Sequence, residues 1–182
     1  MSLRNHFLIA MPGLIDPLFS KSVTYICDHN ENGAMGIVIN QPLNITLADV
    51  FNQLELEDIG GLGVNPVLAG GPVNIQRGFV LHRDIGEWES TMPITPDVHL
   101  TASRDIVVAI ANNNGPKNAQ FALGYAGWSA GQLEDEISAN SWLTLPADCS
   151  IIFDVPIEER WAAASKHLGI DLNLISATAG HA

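Results

Sequence analysis

The sequence predicts an α+β fold, and three observations carry that expectation. Runs of period two, rich in β-branched and aromatic residues, come as neighbouring pairs around glycine turns. Helical periodicity appears between those clusters instead of after every strand, so the order is not the βαβ series of a doubly wound sheet. Finally, 182 residues, 47% apolar and 15% charged, suffice for one domain over residues 1–182. A chain of that size buries about 70% of the surface it exposes unfolded.

Residues 6–11, HFLIAM, read as the first strand, stopped at Pro12-Gly13. Asp16-Pro17 opens a turn, for which an Asx-type hydrogen bond suffices. In VTYIC, residues 23–27, Val23, Tyr25 and Cys27 share one face, and AMGIVIN, residues 34–40, returns antiparallel. Gly33 supplies the positive φ of a connection longer than a two-residue turn, and Gly36 is counted with it among the structural turn glycines. TLADVFNQL, residues 46–54, is a helix with Thr46 as N-cap and Asp49 three residues on. It leaves through the acidic ELED and Gly60-Gly61.

PVLAG (66–70) and GFVLH (78–82) are strands flanking the tight Gly70-Gly71-Pro72 connection, and residues 85–97 are loop with at most a short extended piece. VHLTA (98–102) and DIVVAIA (105–111) have strand composition. In residues 112–127, Pro116 at a first helical position, with Phe121 and Tyr125 on one stripe, predicts a helix ending at Gly127. Ser129 and Gln132 form a Ser-x-x-Gln capping pair, followed by Glu134-Asp135-Glu136 where a helix start favours negative charge. CSIIF (149–153) reads as an inner strand, and residues 156–169 as a helix lined by Ile157, Trp161 and Leu168 and stopped by Gly169. The small, polar tail 176–182 is expected to fray.

Charge limits the function classes. Twenty acidic against eight basic residues give a formal net charge of −12, with the basic residues scattered along the chain. That field opposes capture of a phosphate polymer, so direct specific nucleic-acid binding is not expected. No stretch approaches 18 apolar residues, so no membrane association is expected either. Cys27 and Cys149 are enough for one disulfide, but no secretion signal argues for an oxidising compartment. The cytoplasm is the expected location.

Each candidate site has a bland reading beside the sharp one. Cys27 and His29, two apart on a strand, can project together as a thiol-imidazole pair, or be a buried cysteine beside a turn histidine. The latter is preferred, since no third group orients the pair. The six histidines form no HxH or HExxH motif and the cysteines no CxxC, so neither a metal nor any other cofactor is expected. AGGPVNIQRG, residues 69–78, matches neither phosphate-loop pattern; it is a turn that can also present Arg77 to an anion or a partner carboxylate. Glu134 belongs to the acidic helix start, which capping already explains. Trp128 and Trp142 flank that helix as core wedges, with interface anchoring the alternative.

Three long stretches, residues 7–42, 66–82 and 124–143, together resemble the YqgE/AlgH family of bacterial proteins, and the similarity runs through nearly the whole chain. The family pattern includes Asp16, His29, Gly33, Gly36, Asn40, Gly70, Gly71, Arg77, His82, Gly127, Trp128, Gln132 and Glu134. The resemblance implies a mixed, largely antiparallel sheet with a small barrel-like core and surrounding helices. It also implies a cytosolic bacterial protein of undefined molecular activity, whose relatives' transcriptional-regulator label describes a regulatory effect and does not identify a DNA-reading surface, and it offers no catalytic residue to carry over. Two function classes follow. The first is a noncatalytic regulatory protein with a cytosolic protein partner, contacted through residues among Asp16, His29, Asn40, Arg77, His82, Trp128 and Glu134. The second is an enzyme or small-molecule binder with a pocket near Arg77 and His82, where a histidine exchanges a proton.

Overall fold

The computed structural model describes residues 2–11, 21–83, 86 and 88–169. Gly13, Asp16 and the tail 176–182 lie outside the described residues. The first strands are β1 (His6–Ala10), β2 (Val23–Asn30), β3 (Gly33–Val38) and β4 (Pro42–Thr46), followed by α1 (Leu47–Gln53). Strands β5 (Pro66–Ala69), β6 (Val73–His82), β7 (Thr91–Thr95) and β8 (Val98–Thr101) precede α2 (Arg104–Ala111). Then come β9 (Gln120–Ser129), α3 (Gln132–Ser138), β10 (Trp142–Pro146), α4 (Cys149–Phe153), a 3₁₀ turn (Ile157–Glu159) and α5 (Arg160–His167).

The strands form one curled sheet in the order β10-β1-β2-β3-β9-β6-β8-β7, with β5 joining β9 in parallel and carrying β4 on its other side. The other pairings are antiparallel. The curl brings the two ends of the strand order together: the Arg4 guanidinium, just before β1, donates to the Pro93 carbonyl on edge strand β7. The fold is thus α+β around a half-barrel.

Three packed groups follow from that curl. Inside it, Phe7, Tyr25, Ile37, Phe79, Leu81 and Leu100 meet Ile152 and Phe153 of α4 and Ala164 of α5. Outside, α1 and α2 cover one end, where Leu47, Phe51, Ile106 and Ile110 pack on Val80 and Phe121. At the other outer end α3 lays Leu133 against Leu8, Ile26, Trp128 and Trp142.

Several local expectations are corrected. DIVVAIA is not a strand but most of α2, because Ile106, Val107, Ile110 and Ala111 present one buried helical stripe to the sheet. The expected helix around Phe121 and Tyr125 is instead β9, the strand that links β3, β5 and β6. A spacing of four keeps two residues on one face in either period, so it could not decide. CSIIF is the single helical turn α4, opened by Asp148, whose side chain accepts from the Ser150 amide. The Pro156 helix begins as a 3₁₀ turn and becomes α-helical only at Arg160. The β2–β3 connection is shorter than expected, with Asn30 paired directly to Gly33. Strands β4 and β10 had no counterpart in the sequence reading.

Candidate functional site

The two histidines of interest hold separate structural positions, His29 beside α3 and His82 where β6 pairs with β8. On β2, Cys27 turns into the inner core, while a register shift between Ile26 and Asp28 sends His29 to the α3 side. The expected common side for Cys27 and His29 is therefore lost to a β-bulge. Burial pushes the Cys27 thiol far above its ordinary range, which makes it a poor nucleophile.

His29 is 8% exposed. Its Nδ1 accepts from the Leu3 amide at 2.8 Å, so its proton is on Nε2, which donates to the Glu134 carboxylate. That bond holds the Glu134 carboxyl below the usual Glu range. The histidine thereby ties the N-terminal segment and α3 to β2. Leu3 seals the outer cluster around Trp128 and Leu133. Both ring nitrogens are engaged, and no proton-transfer partner other than Glu134 is within reach among the described residues.

His82 and Arg77 do not meet. Five residues apart on β6, they lie on opposite faces: His82 is fully buried, bonded through Nε2 to Thr101 Oγ1 at 2.7 Å, with the His99 ring 5.6 Å away. Arg77 is exposed, its guanidinium 5.3 Å from the centre of the Phe79 ring. It borders a groove of about 370 Å³ lined by Met35, Phe79, Met92, Leu100 and Tyr125, with Glu89 and Thr91 among its polar members. Phe79 and Tyr125 meet edge to face at 5.7 Å.

The other candidates have local roles. Asn40 fastens the start of β2, its Oδ1 accepting from the Val23 amide and its Nδ2 donating to the Lys21 carbonyl. Gly33 has φ +135°, and a Cβ there would stand 2.2 Å from the Trp128 carbonyl, which is how closely β3 and β9 approach. Gly70 and Gly71 pass against the backbone of Gly124 and Tyr125, whereas Gly36 and Gly127 lie inside β3 and β9 and make no turn.

The capping assignment is corrected. The N-cap of α3 is Gly131, in the left-handed region, and no helix amide bonds to Ser129. Instead Gln132 Oε1 reaches back to the Ser129 amide at 3.0 Å and also takes the Ser129 hydroxyl at 3.3 Å. Two extra residues between Ser129 and the helix put the hydroxyl out of reach.

Trp128 is 7% exposed and stands edge to face on Trp142 at 6.2 Å. Both indole N–H groups donate to Glu136 Oε1, at 3.0 and 2.9 Å, while Gln132 Nε2 donates to Oε2 at 2.8 Å. Glu136 is legible in the sequence only as part of an acidic helix start; its bond to Trp142 depends on β10.

The AlgH-like family model, DUF179, matches residues 7–173. The chain belongs to the AlgH-like family. A UPF0301 protein of Saccharophagus degradans is 74% identical over all of this chain and 90% of its own length. One from Thioalkalivibrio sulfidiphilus is 57% identical over 98% of this chain and 96% of its own. Among solved structures, the solution structure of the AlgH protein from Pseudomonas aeruginosa superposes with a TM-score of 0.81 at 46% identity, covering 100% of this chain and 97% of that one. The crystal structure of a Corynebacterium diphtheriae protein gives 0.75 at 19% identity, over 96% and 91%, and supports the fold alone.

Two features of this AlgH-like chain were absent from the sequence reading. The groove partners of Arg77 come from four strands remote in sequence. A buried arginine, Arg160, sat in what reads as an amphipathic helix. Among the described residues no cluster of His, Cys, Asp or Glu is arranged to hold a metal ion, and no helix is long and apolar enough to cross a membrane.

Proposed function

We propose that this AlgH-like chain is a noncatalytic cytosolic regulatory protein that acts by binding a protein partner, with any effect on transcription exerted through that partner. The observation that carries the reading is the separation of its reactive groups. Cys27, His29 and His82 are buried in different packed regions and engaged in structural bonds, while the open groove at Arg77 contains neither histidine nor cysteine. Its lining combines methionine, aromatic rings and arginine, the residue types enriched where proteins meet. Direct sequence-specific DNA binding is not part of the proposal, since the net charge of −12 opposes it.

The test is crosslinked capture from native cytosol with wild type, Arg77→Ala and Tyr125→Ala, with stability measured in parallel. Arg77 is exposed and makes no ion pair among the described residues, so its replacement should cost no more than about 1 kcal/mol, the worth of its contact with the Phe79 ring. Loss of one specific captured protein in both variants supports the reading. Capture that persists in both, or tight sequence-selective binding of promoter DNA by purified protein at about 0.15 M salt, refutes it.

A further inference from the structure

Arg160 opens α5 and is only 3% exposed. Guanidinium keeps its charge at any ordinary pH, and buried charges are normally paired. This one is bonded to neutral oxygens alone. Nε donates to the Val155 carbonyl at 2.9 Å, Nη1 to the Ile39 carbonyl at 2.6 Å, and Nη2 to Gln120 Oε1 at 2.8 Å. Of the five N–H groups of a guanidinium, two therefore have no acceptor among the described residues.

No carboxylate supplies the missing charge. Among the described residues the carboxylates held close to a basic side chain are Glu134 at His29, Asp154 at Arg83 and Asp148 at His167, and none is held by Arg160. Burial outweighs the favourable field of nearby Glu158 and pushes the Arg160 pKa down to about 10. An uncompensated cation is costly in such a place, and the three carbonyl-type acceptors only partly offset that cost.

Arg160 also lines a cavity of about 390 Å³, within the size range of small-ligand sites. Three remote stretches build it: Leu47 with Asn65 and Pro66, residues 118–121, and residues 153–158. Asn65 and the exposed Asn118 are among its polar lining residues, while Leu47, Pro66, Phe121 and Phe153 give it an apolar side.

We propose that this cavity binds a small monocarboxylate with an apolar body, its carboxylate taking the unused N–H groups of Arg160 with help from the Asn65 and Asn118 amides. The charge around the site selects that class. Asp154 at the rim is held by Arg83, through bonds of 3.1 and 2.7 Å, but Glu158 is not so neutralised. The single cation can balance one negative charge and not the two of a phosphate, and Glu158 disfavours a second charge further. The fork of guanidinium donors matches a carboxylate, and the apolar lining takes the remainder of the ligand. This site is separate from the groove at Arg77, so the proposal stands or falls independently of the partner-binding reading.

Benzoate is a suitable probe, titrated into the full chain by calorimetry and by amide NMR at constant ionic strength, with inorganic phosphate as the comparison. Saturable one-to-one binding of benzoate but not phosphate is expected, with shifts confined to the segments around Asn65, Asn118 and Arg160. Arg160→Lys keeps the charge but loses the fork and should weaken benzoate by about tenfold. Glu158→Gln removes the opposing charge and should tighten it by about threefold. Because Arg160 ties three segments together, its variant can fail to fold, and Glu158→Gln with Asn118→Ala then decides. Absence of saturable benzoate binding, phosphate binding at least as tightly, or benzoate affinity unmoved in every folded variant would overturn the proposal.

Discussion

Replacing Trp128 by alanine separates a core wedge from a surface anchor. At 7% exposure the indole has little left to offer a partner, but it closes the outer cluster with Leu8, Ile26, Leu133 and Trp142. A buried aromatic removes roughly 200 Å² from water, which at about 25 cal/mol per Å² is about 5 kcal/mol. Truncations of buried aromatic residues cost about 3–5 kcal/mol. The variant also loses the edge-to-face contact with Trp142 and one of the two indole bonds to Glu136. Taking about 4 kcal/mol and 2–4 °C per kcal/mol for a chain of this size, the melting temperature should fall by roughly 8–16 °C. Urea and thermal denaturation check this, with Trp128→Phe as the control that keeps most of the ring and loses the N–H. A Trp128→Ala protein within about 1 kcal/mol of wild type would refute the reasoning and return this tryptophan to the interface.

Ser129→Ala should cost less than about 0.5 kcal/mol, since no helix amide depends on its hydroxyl, whereas Gln132→Ala should cost about 1 kcal/mol through the Ser129 amide and Glu136 bonds; denaturant midpoints distinguish the two. Gly33→Ala should cost about 3 kcal/mol or more, because a Cβ 2.2 Å from the Trp128 carbonyl forces β3 and β9 apart, and a small effect in calorimetry would count against that tight approach. Glu134 has a folded pKa held below its ordinary 4.5 by the His29 bond, so its contribution is complete above about pH 4.5 and is lost as pH falls through the lower folded value. Glu134→Gln should therefore flatten the stability-versus-pH curve on the acid side of pH 4.5, and an unchanged slope there would show that the bond does not matter in solution. Thiol titration of the native protein with a bulky aromatic disulfide should label Cys149 well before Cys27, which is fully buried.

Much of the architecture was legible because period and punctuation agreed. HFLIAM, VTYIC and AMGIVIN were strands, and TLADVFNQL a helix whose Thr46 and Asp49 exchange capping bonds in the structure. The misread segments share a physical cause. In α2 the β-branched Ile106, Val107 and Ile110 have strand propensity, but they pack as a stripe on the sheet, and that tertiary burial outweighs an intrinsic preference of a few tenths of a kcal/mol per residue. In α4 a run of three buried apolar residues is compatible with either state, and the decisive signal was the Asp148 cap preceding it. Strand β10 shows why Trp142 was placed but not explained: among the described residues its only ladder partner is β1, more than a hundred residues earlier.

The site was less legible because β-bulges decide which face a side chain takes, and spacing alone does not reveal a bulge. Without the shift between Ile26 and Asp28, Cys27 and His29 would share a side, and a thiol-imidazole pair would be geometrically available. With it, the thiol is sealed in the inner core and the imidazole is spent on Leu3 and Glu134. On β6 and β9 the pairing jumps from Val73 with Tyr125 to Gly78 with Leu123 across Gly124, whose φ is +78°. That jump leaves residues 74–77 exposed and sets Tyr125 on the same inner side as Ala122 and Phe79. Arg77 thereby gains an aromatic floor, while His82, five residues on, lies on the other side of the strand by ordinary alternation. The β6–β9 irregularity opens the groove without assembling a catalytic pair, so a variant that restored strand regularity at Gly124 should close the groove and create no active site.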